Sequence, residues 1–162
     1  MEERTVTIRI AEMGVVADNH TVRSVLKTTL GSCVGVILSD AARGIHGLAH
    51  IMLPEKLGAD PAVGKYVDTA VPALVGQMER AGSSRKNMRA FLVGGANMFQ
   101  RSESTNLPLI GERNVEAALR MLGELGIPVV FQETGGNCGR TVTFDGSEAQ
   151  PRIRTLSGSG TP

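Results

Sequence analysis

Residues 28–38 read Thr-Thr-Leu-Gly-Ser-Cys-Val-Gly-Val-Ile-Leu, so a cysteine follows a Gly-Ser corner and leads into an apolar run. Val34 to Leu38 is short and almost continuously apolar, and Gly35 would weaken a helix there. The stretch therefore predicts a strand that is buried on both faces. Residues 40–44 bound this strand as a loop, and residues 45–53 predict the strand that returns beside it.

The returning strand carries a histidine, His50, within an apolar run. A hairpin centred between residues 41 and 42 would place Cys33 directly opposite His50. Directly opposed side chains have Cβ atoms roughly 4.5–5.5 Å apart, close enough for a thiol and an imidazole to share a proton. A half-residue shift of that centre would instead place Ile51 opposite Cys33 and turn His50 to the other face.

The composition predicts one globular domain over residues 1–162, with residues 157–162 as a loose tail. Seventeen basic and sixteen acidic side chains are scattered along the chain, which favours neither nucleic acid nor a membrane surface as a partner. Two cysteines make no disulfide framework, and there is no signal-peptide core or apolar span of about 20 residues. The expected compartment is the cytoplasm, without membrane insertion.

The remaining elements predict a mixed α/β fold with a largely antiparallel β core flanked by helices. Residues 60–81 have helical spacing with Asp60-Pro61 at the start, but Pro72 predicts a kink or a helix that begins late. Residues 112–125 predict a second helix whose apolar face includes Leu119. Further strands are predicted at residues 5–10, 22–26, 88–93, 127–132 and 140–144, turns at 17–20 and 145–146, and a polar loop at 100–108.

Cys33 and His50 together indicate acyl-transfer chemistry. A thiolate attacks a carbonyl carbon, backbone amides of the Gly31–Cys33 corner hold the oxyanion, and His50 protonates the leaving nitrogen and then activates water. A third group usually orients the histidine, and Thr28 or Thr29 is the nearest candidate.

The same residues also allow purely structural interpretations. A lone cysteine is usually a small core residue, and a histidine in an apolar strand is more often a core residue with its hydrogen bonds satisfied. His46 and His50 are too far apart along a strand for a tight pair of metal ligands, so no metal is expected. Cys138 has no histidine nearby in sequence and is interpreted as structural or incidental. The Gly-Gly pairs match neither a P-loop nor a dinucleotide fingerprint, and no cofactor is expected.

Six short motifs together are more specific than any single residue: Leu30–Val34, Leu48–Pro54, Lys65–Val71, Gly94–Phe99, Ile110–Asn114 and Thr134–Asn137. In order and spacing, these motifs resemble the chemoreceptor glutamine deamidase family CheD. The resemblance implies a cytoplasmic chemotaxis enzyme that converts receptor glutamines to glutamate through a cysteine thioester, with Cys33 as nucleophile and His50 as general acid and base. It also implies a fold similar to the deamidase domain of cytotoxic necrotizing toxins.

The family's third catalytic residue is a threonine six positions before the cysteine, where this chain has Lys27. Thr28 is the first candidate for that role and Thr29 the second. The resemblance further implies hydrolysis of receptor glutamyl methyl esters, and two partners: chemoreceptor cytoplasmic helices and the phosphatase CheC. Two alternatives stay open, an adaptor that binds CheC or receptors without much catalysis, and a cysteine amidase or esterase for small molecules.

Overall fold

The computed structural model describes residues 1–98 and 109–156. The two helices are α1 (Val67–Arg80) and α2 (Ile110–Glu124). The strands are β1 (Glu2–Thr7), β2 (Met13–Ala17), β3 (Val22–Leu30), β4 (Val34–Asp40), β5 (Ile45–Ile51), β6 (Arg89–Gly94), β7 (Val129–Thr134), β8 (Arg140–Asp145) and β9 (Arg152–Thr155). The loop predicted at 100–108 and the tail at 157–162 lie outside the described residues.

The strands form two sheets that pack face to face, with the helices on the outer face of the larger sheet. The larger sheet has the order β2-β5-β4-β6-β7, and the smaller has the order β1-β3-β8-β9. One hydrophobic cluster fills the space between the larger sheet and the helices, and a second fills the space between the sheets. Five of the seven strand pairings among the described residues are antiparallel, which confirms the mixed, largely antiparallel α/β prediction.

Strand β4 is the centre of the larger sheet, and every one of its residues is buried. Val36 and Leu38 pack towards the helices, whereas Ile37 between them packs towards the smaller sheet. This alternation of two apolar faces is why the sequence reads as an almost continuous apolar run. The prediction of a strand buried on both faces is confirmed.

The predicted register of the β4–β5 hairpin is wrong: the loop centre lies one residue further along the chain, which shifts each pairing by two residues. Residues 41–44 all belong to the loop, so Asp40 pairs with Ile45 and Gly35 pairs with His50. Gly44 closes the loop with a φ of +66°, a left-handed conformation that glycine adopts without a steric penalty. The loop centre therefore lies between residues 42 and 43, and His50 is not directly opposite Cys33.

Both helices differ in detail from the sequence prediction. Helix α1 begins at Val67, after a short 3₁₀ turn at Val63–Lys65, so the expected late start is confirmed and the start at Asp60 is wrong. Helix α2 turns small residues and one polar residue towards the sheet, while Leu119 is 36% exposed. Its buried residues are Gly111, Asn114, Ala117, Ala118 and Leu122.

None of the helices within residues 1–98 and 109–156 has the length and apolarity needed to cross a membrane.

Candidate active site

The Gly31–Cys33 corner lies just before β4 and is held by hydrogen bonds on each of its three carbonyl groups. The Ala96 N–H donates to the Gly31 oxygen at 2.9 Å, and the Gly95 N–H donates to the Cys33 oxygen at 2.8 Å. The Asn114 side chain donates to the Ser32 oxygen at 3.0 Å. The corner is therefore a rigid platform, which is what a reacting side chain needs to hold its geometry.

The glycines after β6 allow this contact. Gly94 has a φ of +95°, and a Cβ built on it would lie 2.5 Å from the Cys33 carbonyl oxygen. Gly95 also has a positive φ, and its added Cβ would overlap Val115 of α2. The two glycines therefore permit both the turn and the close backbone approach at this corner.

Cys33 and His50 lie on the same side of the larger sheet, although not directly opposite each other. Cys33 is half-buried and packs against the cluster between the sheets. His50 contacts Thr28 of the smaller sheet, so its side chain also points between the sheets. Because His50 pairs with Gly35, two positions after Cys33, the two residues are diagonal neighbours rather than a directly opposed pair.

Gly35, the residue directly opposite His50, has no side chain and leaves this position of the strand to its neighbours. A Cβ built there would lie 3.0 Å from Leu30 Cδ1 and 3.1 Å from Val93 Cγ2. A side chain at this position would therefore press on Leu30, the residue that leads into the corner.

The imidazole of His50 is oriented by a hydrogen-bonded chain through Thr28. The Thr28 hydroxyl donates to the Ile8 carbonyl oxygen at 2.7 Å, and its oxygen lies 2.8 Å from His50 Nδ1. A carbonyl can only accept, so the single hydroxyl proton goes to Ile8 and His50 Nδ1 must be the protonated nitrogen that donates to Thr28. In the neutral ring the lone pair is then on Nε2, the nitrogen available to accept a proton.

The two other residues considered for the third position point elsewhere. Thr29 is exposed, and its hydroxyl lies 3.4 Å from that of Thr141 on the neighbouring strand β8. Lys27 is also exposed. Because side chains alternate along β3, Thr28 is the residue of this trio that faces the space between the sheets.

Residues 8–12 cross β5 beside His50 and fix its backbone. The Ala11 N–H donates to the His50 oxygen at 2.8 Å, and the His50 N–H donates to the Glu12 oxygen at 3.0 Å. Ala11 has a φ of +63°, which is uncommon for a residue other than glycine. Next to this crossing is a surface depression of about 450 Å³, whose lining includes the Thr28 and His50 side chains and the exposed Ile10.

Burial makes the neutral forms of both reactive groups favourable. It raises the pKa of the Cys33 thiol above the ordinary value, an effect opposed by hydrogen bonding of the sulfur to the Cys33 backbone N–H. Burial also lowers the pKa of His50, opposed by the Ile8 carbonyl and the Glu12 charge. At neutral pH the resting pair is a thiol and a neutral imidazole, so the imidazole can act as a base.

Other predicted residues fall outside this pair. His46 lies on the same face of β5, where it bonds to Ser39 Oγ at 2.9 Å and lies 3.5 Å from an Asp18 carboxylate oxygen. The thiol of Cys138 contacts Asn137 of its own loop. Within residues 1–98 and 109–156, no group of three or more histidine, cysteine or acidic side chains is arranged to hold a metal ion.

The buried histidines predict a fall in stability below pH 6.5. Burial lowers the pKa values of both His46 and His50 below 6.5 in the folded state. The unfolded chain therefore binds more protons than the folded chain below pH 6.5, and the free energy of unfolding falls as the pH drops towards the native pKa values. Above pH 6.5 the full stability is present.

Urea unfolding between about pH 7.5 and 5 measures this dependence, a range in which most carboxylates remain ionised. The His46→Gln variant should show a shallower dependence, because one of the two shifted groups has been removed. A free energy of unfolding that is constant over the whole range would contradict the prediction.

The sequence prediction overlooked two elements of this site. Asn114 was named only as one residue of a family motif. Nothing in the sequence indicates that a polar residue in a helix is buried. Residues 8–12 were predicted to continue a strand into residue 10, whereas β1 ends at Thr7 and the chain crosses over β5. Nothing in the sequence predicts that Ala11 adopts a left-handed backbone conformation.

A family model and sequence relatives point to one family. Residues 52–155 match the family model described as CheD chemotactic sensory transduction. The chemoreceptor glutamine deamidase CheD of Halalkalibacterium halodurans is 40% identical over 154 residues, covering 93% of each chain. The protein of the same name from Bacillus licheniformis is 40% identical, covering 96% of this chain and 94% of that protein.

A Clostridium kluyveri protein named probable chemoreceptor glutamine deamidase CheD is 38% identical over 160 residues, covering 96% of each chain. Among solved structures, the Neisseria meningitidis protein NMB0706 aligns with a TM-score of 0.47 at 10% identity, covering 82% of this chain and 64% of that one. This structural likeness is too distant to bear on function. The matched family model and the similarity to the three relatives over nearly the whole chain place this protein in the CheD family.

Proposed function

We propose that this protein is a cytoplasmic chemotaxis enzyme that converts glutamine side chains of chemoreceptors to glutamate and releases ammonia. The observation that carries the proposal is the hydrogen-bonded chain from Ile8 through Thr28 to His50, which leaves Nε2 as the basic nitrogen on the side of the sheet where Cys33 lies. Relatives that share about 40% of the sequence are named chemoreceptor glutamine deamidases, which supports the same substrate class.

The first half of the reaction forms a thioester. His50 Nε2 takes the proton of the Cys33 thiol, and the sulfur attacks the carbonyl carbon of the glutamine amide. The electron pair of the C=O bond moves to oxygen, which the backbone N–H groups of the corner stabilise. The C–N bond then breaks, the imidazolium gives its proton to the leaving nitrogen, and ammonia departs.

The second half returns the enzyme to its starting state. Water attacks the thioester carbon, and His50 Nε2 accepts a proton from it. The C–S bond breaks to release a glutamate side chain, and the thiolate regains its proton from the imidazolium. No redox step occurs, and the protein's own side chains supply every proton transfer.

The same chemistry would extend to a glutamyl methyl ester, because methanol replaces ammonia as the leaving group on an otherwise identical thioester route. The receptor helix would meet the protein at the depression beside His50, where Ile10 offers an exposed apolar side chain. We also propose that the phosphatase CheC binds this protein and competes with the receptor for that face.

The adaptor hypothesis is less well supported than catalysis. Lys27 favours the adaptor hypothesis, because it occupies the position where the family has a catalytic threonine. Thr28 makes the contact with His50 that such a threonine would make, while the exposed Lys27 side chain takes no part in it.

Mass spectrometry tests the proposed function directly. Purified protein is incubated with receptor cytoplasmic fragments, and the fragments are digested and mapped for glutamines that have become glutamates, while ammonia is measured in parallel. We expect conversion at particular glutamines and no conversion of free glutamine. Receptor fragments that stay unmodified at enzyme concentrations approaching those of the substrate would refute a deamidase.

A pair of Thr28 variants tests the hydrogen-bonded chain. Thr28→Val has similar size but no hydroxyl, so His50 Nδ1 and the Ile8 carbonyl each lose a partner. We expect kcat for deamidation to fall on the order of 10²-fold, because the imidazole is no longer held in one orientation. Thr28→Ser keeps the hydroxyl and should retain most of the activity. Equal activity of the two variants would contradict the orienting role.

A further inference from the structure

Asn114 of helix α2 connects the two strand segments that carry the reactive residues. Its side chain is fully buried, and its Nδ2 donates to the Ser32 oxygen at 3.0 Å and to the Met52 oxygen at 2.9 Å. Both partners are carbonyl groups that only accept, so the amide orientation is unambiguous: the flipped amide would place its oxygen against two other oxygens. Ser32 precedes Cys33, and Met52 lies two positions after His50.

The peptide unit between Ser32 and Cys33 depends on a side chain for its orientation. The neighbouring units are held through the Gly31 and Cys33 carbonyl oxygens by the backbone N–H groups of Ala96 and Gly95. If Ala96 or Gly95 were replaced by any residue other than proline, its backbone N–H would still be there to donate. The unit that carries the Cys33 N–H is instead held through the Ser32 carbonyl by Asn114.

The geometry of a trans peptide determines where the Cys33 N–H points. The C=O and N–H bonds of one planar unit point in opposite directions. Because the Ser32 oxygen points to α2, the Cys33 N–H points away from that helix and towards the side on which Cys33 packs between the sheets. The Cys33 backbone N–H lowers the pKa of the Cys33 thiol and so favours the thiolate.

Asn114 has features that a purely structural residue would not need. Its Oδ1 atom is buried and has no hydrogen-bond partner within the described part of the chain. A buried polar atom left unpaired is unfavourable, and an apolar side chain at this position would avoid that cost. The other buried residues of α2 are glycine, alanine and leucine.

We propose that Asn114 is a positioning residue that locks the Ser32–Cys33 peptide so that the Cys33 N–H faces the oxyanion of the reaction. The proposal rests on the thioester chemistry given above and adds the residue that preorganises its oxyanion site. Without the lock, the peptide can rotate and present the Ser32 carbonyl oxygen to the reacting carbonyl, where it would repel the developing negative charge.

The test compares Asn114→Leu with Leu122→Ala. The first variant keeps a side chain of similar size and removes both donated hydrogen bonds. The second removes packing from the same buried face of α2 and leaves both hydrogen bonds intact, so it controls for loss of stability. Each variant is measured for its melting temperature, for kcat and KM of deamidation, and for the pH dependence of Cys33 alkylation by iodoacetamide, which needs no receptor.

For Asn114→Leu we expect kcat to fall about 10²- to 10³-fold with KM little changed, as when one oxyanion donor is lost. We also expect the alkylation profile to move to higher pH, because the N–H no longer stabilises the thiolate. Leu122→Ala should melt at a lower temperature and keep the wild-type kcat and alkylation profile. If Asn114→Leu does not fold, Asn114→Asp, which matches the asparagine in size, should show the same displaced profile wherever its carboxylate is ionised.

A wild-type kcat and alkylation profile in Asn114→Leu would overturn the positioning role, and so would an equal loss of kcat in Leu122→Ala. These results are distinguishable from a failure of the proposed function. If the proposed function is wrong, the wild-type protein itself will not deamidate receptors. The alkylation profiles of the variants will still report on whether Asn114 holds the Ser32–Cys33 peptide in place.

Discussion

Replacing Cys33 with alanine should reduce ammonia release from receptor fragments by at least about 10⁴-fold, the scale seen when a nucleophile that acts with a neighbouring base is removed. The fold should survive, because the Cys33 side chain is only half-buried and alanine removes a single sulfur atom. Ammonia measurement and a melting curve on the same preparation check both expectations.

Cys138→Ala is the matched control, since it removes the chain's other free cysteine. Cys138 lies in the loop before β8 and contacts Asn137, and we expect full activity from this variant. Residual activity of Cys33→Ala close to the wild-type level would reject the thioester route, and a loss of activity in both variants would indicate that the effect is not specific to Cys33.

Replacing His50 with asparagine should give the second largest loss. Asparagine keeps an N–H donor near the position of Nδ1, and so can still bond to Thr28, but it supplies no base. We expect kcat to fall about 10²- to 10⁴-fold, the usual contribution of a positioned general acid and base. Alkylation of Cys33 should then follow the titration of a single thiol whose pKa is raised by burial.

His46→Asn is the control for a buried histidine on the same strand. His46 bonds to Ser39 and lies beside Asp18, at the opposite end of β5 from Thr28. This variant should lose stability while kcat stays near that of the wild type. Equal kcat values for His50→Asn and the wild type would remove His50 from the mechanism.

The sequence predicts the centre of this fold well because its signals are local. An apolar run of strand length with a glycine inside and a loop after it defined β4. The returning apolar strand brought His50 into the list of candidates, and closeness in sequence to Cys33 brought Thr28. The six family motifs added roles that chemistry alone left open. These inferences needed only residue types and short spacings.

The register between β4 and β5 could not be predicted in the same way. It depends on whether the loop turns within two residues or uses all of residues 41–44, and Gly44 can support either outcome through its freedom of φ. Lengthening the loop by two residues moved His50 from a position opposite Cys33 to one opposite Gly35. The proposed chemistry does not depend on this change, because both side chains still point between the sheets.

Two strands were missed because their patterns are weak. Strand β9 has the sequence Arg-Ile-Arg-Thr at the edge of the smaller sheet, with Ile153 as its half-buried apolar residue. Strand β2 is five residues long, and it separates β1 from β3, which pair in parallel in the other sheet. An edge strand that buries little side-chain area leaves little trace in a hydrophobic pattern.

The role of Asn114 could not be predicted from the sequence for a different reason. Its partners Ser32 and Met52 are 82 and 62 residues away in sequence, and both contacts are made to backbone oxygens that any residue could supply. No property of the partner side chains marks such a contact. It becomes visible when the packing of α2 against β4 and β6 is known.

The central claim is that Cys33 forms a thioester with a receptor glutamine, and trapping with hydroxylamine tests it most directly. Hydroxylamine competes with water for a thioester, so wild-type protein incubated with receptor fragments should produce glutamyl hydroxamate at the same glutamines that it deamidates. The Cys33→Ala variant should produce neither hydroxamate nor glutamate. Deamidation by the wild type without any hydroxamate, at hydroxylamine concentrations that trap a model thioester, would contradict the account.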